Sequence, residues 1–322
     1  MTNFLDPAIL FFIFGVFAGS VKSNLEIPPQ ISRFLSLYLL MALGLKGGFA
    51  LHKSGFTSEI GISLGIAIFL AVIIPIIGYL LLRKTLNAFD AAAIAATYGS
   101  VSAVTFITAT QYLDQFHIEY GGHMAAAMAL MESPAIILAI VLANKARVAN
   151  SLDKNISQEP TSISKILHES FTDGAQLLLM GSMLVGLISG DAGQKLMAPF
   201  SIDLFKGMLA FFLLDMGLMA ARNIKGLKGK PPATLLYAIG SPLSHALLAL
   251  LLCKLFGLPL GNTILLMVLA ASASYIAVPA VLRHALPEVN PGLYMGMSLG
   301  ITFPFNIILG IPLYTILAKL VL

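Results

Sequence analysis

Charged residues, cysteine and tryptophan are scarce in this 322-residue sequence. Charged residues make up 11% of it, whereas a soluble domain carries about 25%, which excludes a soluble enzyme and a nucleic-acid-binding protein. Cys253 is the single cysteine, so the chain can form neither an intramolecular disulfide nor a cysteine-based metal cluster. A secreted disulfide scaffold is therefore excluded as well.

Apolar residues are abundant instead, at 58% of the chain, and the mean hydropathy is +0.91. A membrane-spanning helix needs about 20 mostly apolar residues. The apolar runs are continuous, whereas the strands of a transmembrane barrel would alternate polar and apolar residues. We therefore predict an all-α integral membrane protein with ten transmembrane helices. The predicted spans are 6–20, 34–51, 58–82, 88–110, 122–143, 173–190, 203–221, 234–256, 261–283 and 292–320.

The distribution of lysine and arginine predicts the orientation of these spans. Cytoplasmic loops carry an excess of both residue types, and about two thirds of the 19 basic residues fall in one set of alternate loops. The long polar segment 144–172 belongs to that set. We therefore expect both termini to face outside and the segment 144–172 to be cytoplasmic.

The sequence also divides into two similar halves. The first half, 1–143, and the second, 173–322, are joined by the polar segment 144–172 as a linker. The segments 99–105 and 271–277 align between the halves, together with four other matches in the same order. Because each half has an odd number of spans, the halves have opposite orientations. Inverted repeats of this kind are typical of secondary transporters, whose site lies at the midplane between the repeats.

Spans 4 and 9 each carry a Ser-x-Ser sequence among small residues, Ser100-Val101-Ser102 and Ser272-Ala273-Ser274. Gly99 and Pro279 favour an interruption of the helix, and a serine can cap a new helix start. We predict that both helices restart near the second serine and direct their N-termini at one bound anion. Close packing of small residues is the alternative. The predicted anion site comprises Gly99, Ser100, Val101, Ser102, Ala103, Ser272, Ala273, Ser274 and Tyr275.

Glu132 lies in the middle of span 5 and is followed by Ser133 and a proline. Ionisable residues at membrane depth are costly and usually functional, and oxygen ligands beside a proline suit a hard cation such as Na⁺. A structural carboxylate bonded to a neighbouring helix is the alternative. The scattered histidines predict no transition-metal site. The predicted sodium ligands are Thr105, Glu132, Ser133, Thr302 and Asn306.

Three stretches of this sequence are similar to one family. The segments 97–106, 131–135 and 271–279 resemble the sodium-dependent bicarbonate transporters of cyanobacteria and other bacteria. The resemblance extends over both halves, and it implies a Na⁺/HCO₃⁻ symporter of the plasma (inner) membrane that concentrates inorganic carbon, with Na⁺ as the coupling ion and no cofactor. It also implies a homotrimer in which spans 1, 2, 6 and 7 form a gate domain. Spans 3–5 and 8–10 would form a core domain in which the broken spans 4 and 9 cross.

The resemblance further implies a cytoplasmic PII-like regulatory protein that binds adenine nucleotides. A cluster of basic residues follows span 7 and is the expected docking surface, although such a cluster can also serve topology alone. The residues of this cluster are Arg222, Lys225, Lys228 and Lys230.

Other functions remain open at this point. A cation/proton exchanger, or another Na⁺-coupled anion transporter of the same architecture, would fit the spans, and the exchanger would need a titrating carboxylate at the crossing. A passive anion channel would not concentrate its substrate. An intramembrane hydrolase would need a base facing a serine in one cavity, and the Ser-x-Ser sequences have no histidine in helical phase with them.

Overall fold

The computed structural model describes residues 6–55, 57–150, 174–227, 229–230, 232–286 and 288–322. Within these ranges the regular structure is helical, without a β-strand. The helices in chain order are α1 (Pro7–Ser20), α2 (Pro29–Ser54), α3 (Ser58–Leu82), α4 (Ala88–Gly99), α5 (Ala103–Gln115), α6 (Met124–Asn150), α7 (Gly174–Ala198), α8 (Phe205–Asn223), α9 (Pro232–Leu255), α10 (Leu260–Ala271), α11 (Ala277–Ala285) and α12 (Pro291–Val321).

Six described helical segments are long and apolar enough to cross a bilayer. Their mean hydropathy ranges from 1.4 to 2.8, and two further apolar helices, α1 and α10, are shorter. Large apolar side chains are exposed on the outer faces of α1, α3, α7 and α9, which is the arrangement expected of a surface that faces lipid. The chain is therefore a multi-pass helical membrane protein.

Several helices extend beyond the predicted spans. Helix α6 continues to Asn150, seven residues past the predicted end, because residues 144–150 are mostly good helix formers. The remainder of the predicted linker, 151–172, lies outside the described residues. Helix α7 passes the predicted end at Gly190, which kinks it with φ 55° and ψ −144°. A π-helical turn, Pro199–Asp203, then leads into α8.

The helices pack in two groups. Helix α1 lies along α8, and α2 lies along α7. The other group contains α3 packed on α4 and α6, α9 packed on α10, and α10 packed on α12. Small residues allow the close approach in the first group: a Cβ atom on Gly15 would overlap the carbonyl oxygen of Leu214. Close backbone contact of this kind is how helices associate in lipid, where apolar burial alone provides little driving force.

Helix α12 is irregular. Two π-helical stretches, Gly296–Thr302 and Asn306–Gly310, interrupt its α-helical turns. Such π-bulges are rare and frequently occur at functional sites. The first stretch ends at Thr302 and the second begins at Asn306, and both of these residues are predicted sodium ligands.

Candidate functional site

The first Ser-x-Ser sequence interrupts a helix. Helix α4 ends at Gly99, and α5 begins at Ala103 with Ser102 as its N-cap. The Ser102 Oγ accepts hydrogen bonds from the Thr105 backbone nitrogen at 3.2 Å and from the Thr105 hydroxyl at 2.9 Å. A Cβ atom at position 99 would lie 2.6 Å from the Pro75 ring, so glycine is needed where the end of α4 meets α3.

The second Ser-x-Ser sequence also lies between two helices. Helix α10 ends at Ala271, and α11 begins at Ala277. The Ser272 hydroxyl donates to the Leu269 carbonyl oxygen at 2.8 Å. The Ser274 Oγ accepts a hydrogen bond of 3.3 Å from the Val278 backbone nitrogen, so it caps a donor in the first turn of α11.

The two interruptions are in direct contact. The Ser102 backbone nitrogen donates to the Ser272 Oγ at 2.9 Å, and the Ser274 backbone nitrogen donates to the Thr97 carbonyl oxygen at 2.8 Å. These serines are almost completely buried. The structure therefore brings both Ser-x-Ser sequences to one place, although Ser102 and Ser272 are 170 residues apart in the chain.

A cavity of about 140 Å³ lies beside this contact. Ala103 and Ala277, the first residues of α5 and α11, both line it, and the first N–H groups of a helix lack partners within the helix. The volume is sufficient for several water-sized groups. The lining residues are Ser36, Leu40, Val101, Ser102, Ala103, Met128, Ala129, Glu132, Ala175, Gln176, Leu179, Ser274, Tyr275, Ile276 and Ala277.

Five predicted anion-site residues line this cavity: Val101, Ser102, Ala103, Ser274 and Tyr275. The other four lie in the interruptions or at their edges but are not part of the cavity wall. One of these, Ser100, has a buried hydroxyl with no hydrogen-bond partner among the described residues. The remaining three are Gly99, Ser272 and Ala273.

Glu132 faces the same cavity from α6. Its Oε2 accepts a hydrogen bond of 2.6 Å from the Gln176 side chain of α7. A hydrogen bond to a neighbouring helix is what the alternative interpretation of Glu132, a structural carboxylate, predicts. Because the carboxylate also lines the cavity, its role as a cation ligand stays a prediction that the geometry permits.

The other predicted sodium ligands lie apart from the cavity wall. The Thr302 hydroxyl bonds to the Ala238 carbonyl oxygen and to the Tyr98 hydroxyl, each at 2.6 Å. The Asn306 side chain donates to the Ala271 carbonyl oxygen at 2.8 Å. Thr302 and Asn306 therefore contact the ends of α4 and α10, while Glu132 lies on the cavity side. Thr105 is bonded to Ser102, and Ser133 is described by its backbone alone.

The cavity wall also contains residues that sequence reasoning missed. Ser36 and Leu40 come from α2, and Gln176 and Leu179 come from α7. Gln176 carried a signal, because it is a polar side chain within an apolar run. Ser36 carried a weaker signal of the same kind, and Leu40 and Leu179 carried none, since their position follows from the packing of α2 along α7.

The predicted docking cluster is partly described. Arg222 is exposed near the end of α8 and its guanidinium donates to the Leu25 carbonyl oxygen at 3.4 Å. Lys225 lies in the 3₁₀ turn Ile224–Leu227, described by its backbone. Lys230 is partly exposed, and Lys228 lies outside the described residues.

Comparison with known proteins gives one family. A family model described as the Na⁺-dependent bicarbonate transporter superfamily matches residues 7–319, nearly the whole chain. A search of curated proteins finds no match. A transporter family agrees with the multi-pass helical fold and with a cavity where two interrupted helices meet. The chain therefore belongs to the Na⁺-dependent bicarbonate transporter superfamily and is a membrane transporter, not an enzyme.

Proposed function

We propose that the protein is a Na⁺/HCO₃⁻ symporter that takes up bicarbonate by alternating access. The observation that carries this proposal is the 140 Å³ cavity that Ser102, Ser274 and Glu132 line together. It combines two helix starts, which favour an anion, with one carboxylate, which favours a cation.

The anion binds between the starts of α5 and α11. Bicarbonate is a small planar monoanion with three oxygens, and each helix N-terminus is equivalent to about half a positive charge. Ser102 and Ser274 add hydroxyl donors. Among the described residues that line the cavity, none is lysine or arginine. Binding through dipoles and hydroxyls gives an affinity that still permits release, as transport requires.

The carboxylate of Glu132 makes anion binding depend on Na⁺. An ionised Glu132 in the same cavity repels bicarbonate, and a Na⁺ ion bound beside it cancels that charge. Thr105, Ser133, Thr302 and Asn306 are the further proposed sodium ligands. A membrane potential of about 100 mV contributes about 2.3 kcal/mol per net charge moved, so a one-to-one symport would draw on the Na⁺ gradient alone.

The architecture we propose has ten spans in two inverted repeats of five. The broken spans are α4 with α5 and α10 with α11. Helices α1, α2, α7 and α8 form the gate domain, and α3–α6 with α9–α12 form the core domain. The packing of the helices in two groups supports this division. So does the cavity wall, which takes residues from α2 and α7 on one side and from α5, α6 and α11 on the other.

The position of the protein in the cell follows from the same proposal. Both termini face outside the plasma (inner) membrane, and the linker 144–172 is cytoplasmic. The protein assembles as a homotrimer and contributes to a carbon concentrating mechanism. A PII-like regulatory protein that binds adenine nucleotides docks on the cytoplasmic face and bridges gate and core. The exposed Arg222 at that face supports the docking surface.

The central test measures the uptake of radiolabelled bicarbonate into proteoliposomes. An inward Na⁺ gradient should drive accumulation above equilibrium, and an equal K⁺ gradient should not. Accumulation without Na⁺, or equilibration without accumulation, would contradict symport.

Alternating access can be tested by cross-linking the two domains. A Cβ atom on Gly47 of α2 would lie 3.4 Å from the Cβ of Ala125 in α6, close to the spacing of about 3.5–4.5 Å in disulfides. Cysteines at both positions in a Cys253→Ala background should block uptake until a reductant is added. A Gly47→Cys single variant controls for the carbonyl oxygen of Gly122, which is 2.8 Å from the new Cβ.

The position of Glu132 also favours a second function, cation/proton exchange. An exchanger needs a titrating carboxylate at the crossing, and Glu132 lines the cavity beside both serines. A pH-sensitive dye inside the same proteoliposomes distinguishes the two functions. Na⁺-driven proton movement in the absence of bicarbonate would support exchange and contradict the symporter.

A further inference from the structure

A second and larger cavity of about 740 Å³ lies at the C-terminal ends of α2 and α5. Its wall includes Lys46 and Lys53 of α2, Asp114 of α5, and the loop that leads to α6. We refer to it as the outer cavity, since this end of α2 faces outside in the proposed orientation. The 140 Å³ cavity beside the serines is the inner cavity.

The two cavities lie along the same three helices, α2, α5 and α6. Leu40 and Ala103 line the inner cavity, whereas Leu43 and Phe106, three residues further along α2 and α5, line the outer cavity. Three residues of helix advance by about 4.5 Å. On α6, Ala129 lines the inner cavity and Ala125 the outer one. The lining residues of the two cavities are therefore one helical turn apart, and we refer to the buried Leu43 and Phe106 at this step as the separating layer.

Lys46 lies one turn beyond this layer on α2. Its Nζ is 3.4 Å from the Asp114 Oδ2 and 4.5 Å from the centre of the Phe205 ring. The two charged side chains are 26% and 40% exposed, so their ion pair is partly solvated and readily exchanged. Lys53 is turned towards α7, where its Nζ lies 2.8 Å from the Gln194 Oε1. Lys46 is thus the lysine of this cavity next to the separating layer.

We propose that the outer cavity is a second, low-affinity bicarbonate site on the path to the serines, and that Lys46 binds the anion there after exchanging its partner Asp114. The proposal rests on the proposed function and adds a step to it. The incoming anion takes the place of the Asp114 carboxylate. Movement of the layer at Leu43 and Phe106 then admits the anion to the inner cavity, where lysine and arginine are lacking among the described lining residues.

Removing the charge of Lys46 and removing the charge of Asp114 should have different effects on bicarbonate affinity, which distinguishes anion binding from a structural ion pair. Lys46→Gln should raise the half-saturating bicarbonate concentration about three- to fivefold, the range for one charge at a partly exposed position. The maximal rate and the half-saturating Na⁺ concentration should stay unchanged. Asp114→Asn frees Lys46 and should lower the half-saturating bicarbonate concentration or leave it unchanged. Lys46→Arg keeps the charge and should resemble the unmodified protein.

Two controls separate the binding of bicarbonate by Lys46 from other causes of a change in bicarbonate affinity. Lys254→Gln removes an equal charge outside this cavity, at the end of α9, where the Lys254 Nζ donates to the Val321 carbonyl oxygen at 3.0 Å, and it should change the half-saturating bicarbonate concentration by less than about twofold. N-methylglucamine gluconate raises ionic strength without adding Na⁺, and it should weaken apparent bicarbonate affinity in the unmodified protein more than in Lys46→Gln.

A shift in the same direction for Lys46→Gln and Asp114→Asn would overturn the proposal, because it would mean that the ion pair only tethers α2 to α5. Unchanged kinetics in Lys46→Gln would overturn it too. If Lys46→Gln does not fold, a raised half-saturating bicarbonate concentration in Asp114→Asn would be enough to overturn it. Loss of Na⁺-driven uptake in the unmodified protein would instead contradict the proposed function itself.

Discussion

Replacing Ser102 or Ser274 by alanine removes one hydroxyl group from the wall of the inner cavity. A hydrogen bond to a charged group contributes about 1.5–3 kcal/mol, and a loss of about 1.4 kcal/mol is tenfold in affinity. Each substitution should therefore raise the half-saturating bicarbonate concentration at least tenfold. The assay is initial uptake by proteoliposomes over a range of bicarbonate concentrations at saturating Na⁺.

The structure predicts different stability costs for the two variants. Ser102 accepts two hydrogen bonds from Thr105 as the N-cap of α5, and the loss of a serine N-cap costs about 1 kcal/mol. Ser274 accepts one longer bond of 3.3 Å from Val278. Ser102→Ala should therefore unfold at a lower temperature than Ser274→Ala, although both lose affinity to a similar extent.

Two control variants separate capping from binding. Ser102→Thr keeps a hydroxyl that can cap α5 and should retain most of the thermal stability. Ser182→Ala removes another buried serine, whose hydroxyl donates to the Leu178 carbonyl oxygen within α7, and should leave uptake unchanged. Unchanged bicarbonate affinity in both Ser102→Ala and Ser274→Ala, in protein that elutes as folded, would refute the proposed anion site.

Three further predictions concern the cation, the helix packing and the regulator. Glu132→Gln should raise the half-saturating Na⁺ concentration without raising that of bicarbonate, and a shift in the bicarbonate curve alone would contradict the assigned role. Gly99→Ala places a Cβ atom 2.6 Å from the Pro75 ring, so it should cost about 1–3 kcal/mol of stability, measured as a lower unfolding temperature. Neutralising the docking cluster should weaken nucleotide-sensitive binding of the regulator. The orientation of the variant in the membrane would be checked by cysteine labelling in a Cys253→Ala background. If a correctly inserted variant still binds the regulator with full affinity, the cluster serves only to set the topology. The substitutions are Arg222→Gln, Lys225→Gln, Lys228→Gln and Lys230→Gln.

Local sequence was sufficient to predict an all-helical membrane protein and the position of the interruption between α4 and α5. Long apolar runs identify the helices, and Ser-x-Ser beside Gly99 places the interruption of α4 and α5 where the structure has it. The second helix restarts at Ala277, three residues after Ser274. The extension of α6 and the π-helical stretches of α12 had no comparable signal, because tertiary packing decides helix ends and bulges.

The predictions for the two Ser-x-Ser sequences and for the sodium ligands had different outcomes. Repeat matching paired the two Ser-x-Ser sequences, and the structure brings these two sequences into contact. The same matching related Glu132 to Thr302 and Asn306; of these three residues Glu132 lines the inner cavity, whereas Asn306 bonds to the Ala271 carbonyl oxygen. The wall from α2 and α7 could not be found from either repeat alone, because it depends on how distant helices pack.

The charges that line the inner cavity imply that Na⁺ binds before bicarbonate. An anion that enters while Glu132 is ionised meets a carboxylate in the same small space, and among the described lining residues neither lysine nor arginine offsets it. Na⁺ experiences the opposite field and is attracted to the same carboxylate. Sodium should therefore bind first, so that raising Na⁺ lowers the half-saturating bicarbonate concentration. At saturating bicarbonate the half-saturating Na⁺ concentration should fall as well, since linkage between the two sites is reciprocal.

In Glu132→Gln the repulsion is absent, and bicarbonate affinity should become nearly independent of Na⁺. Bicarbonate affinity that is equally sensitive to Na⁺ with and without this carboxylate would place the coupling elsewhere in the protein.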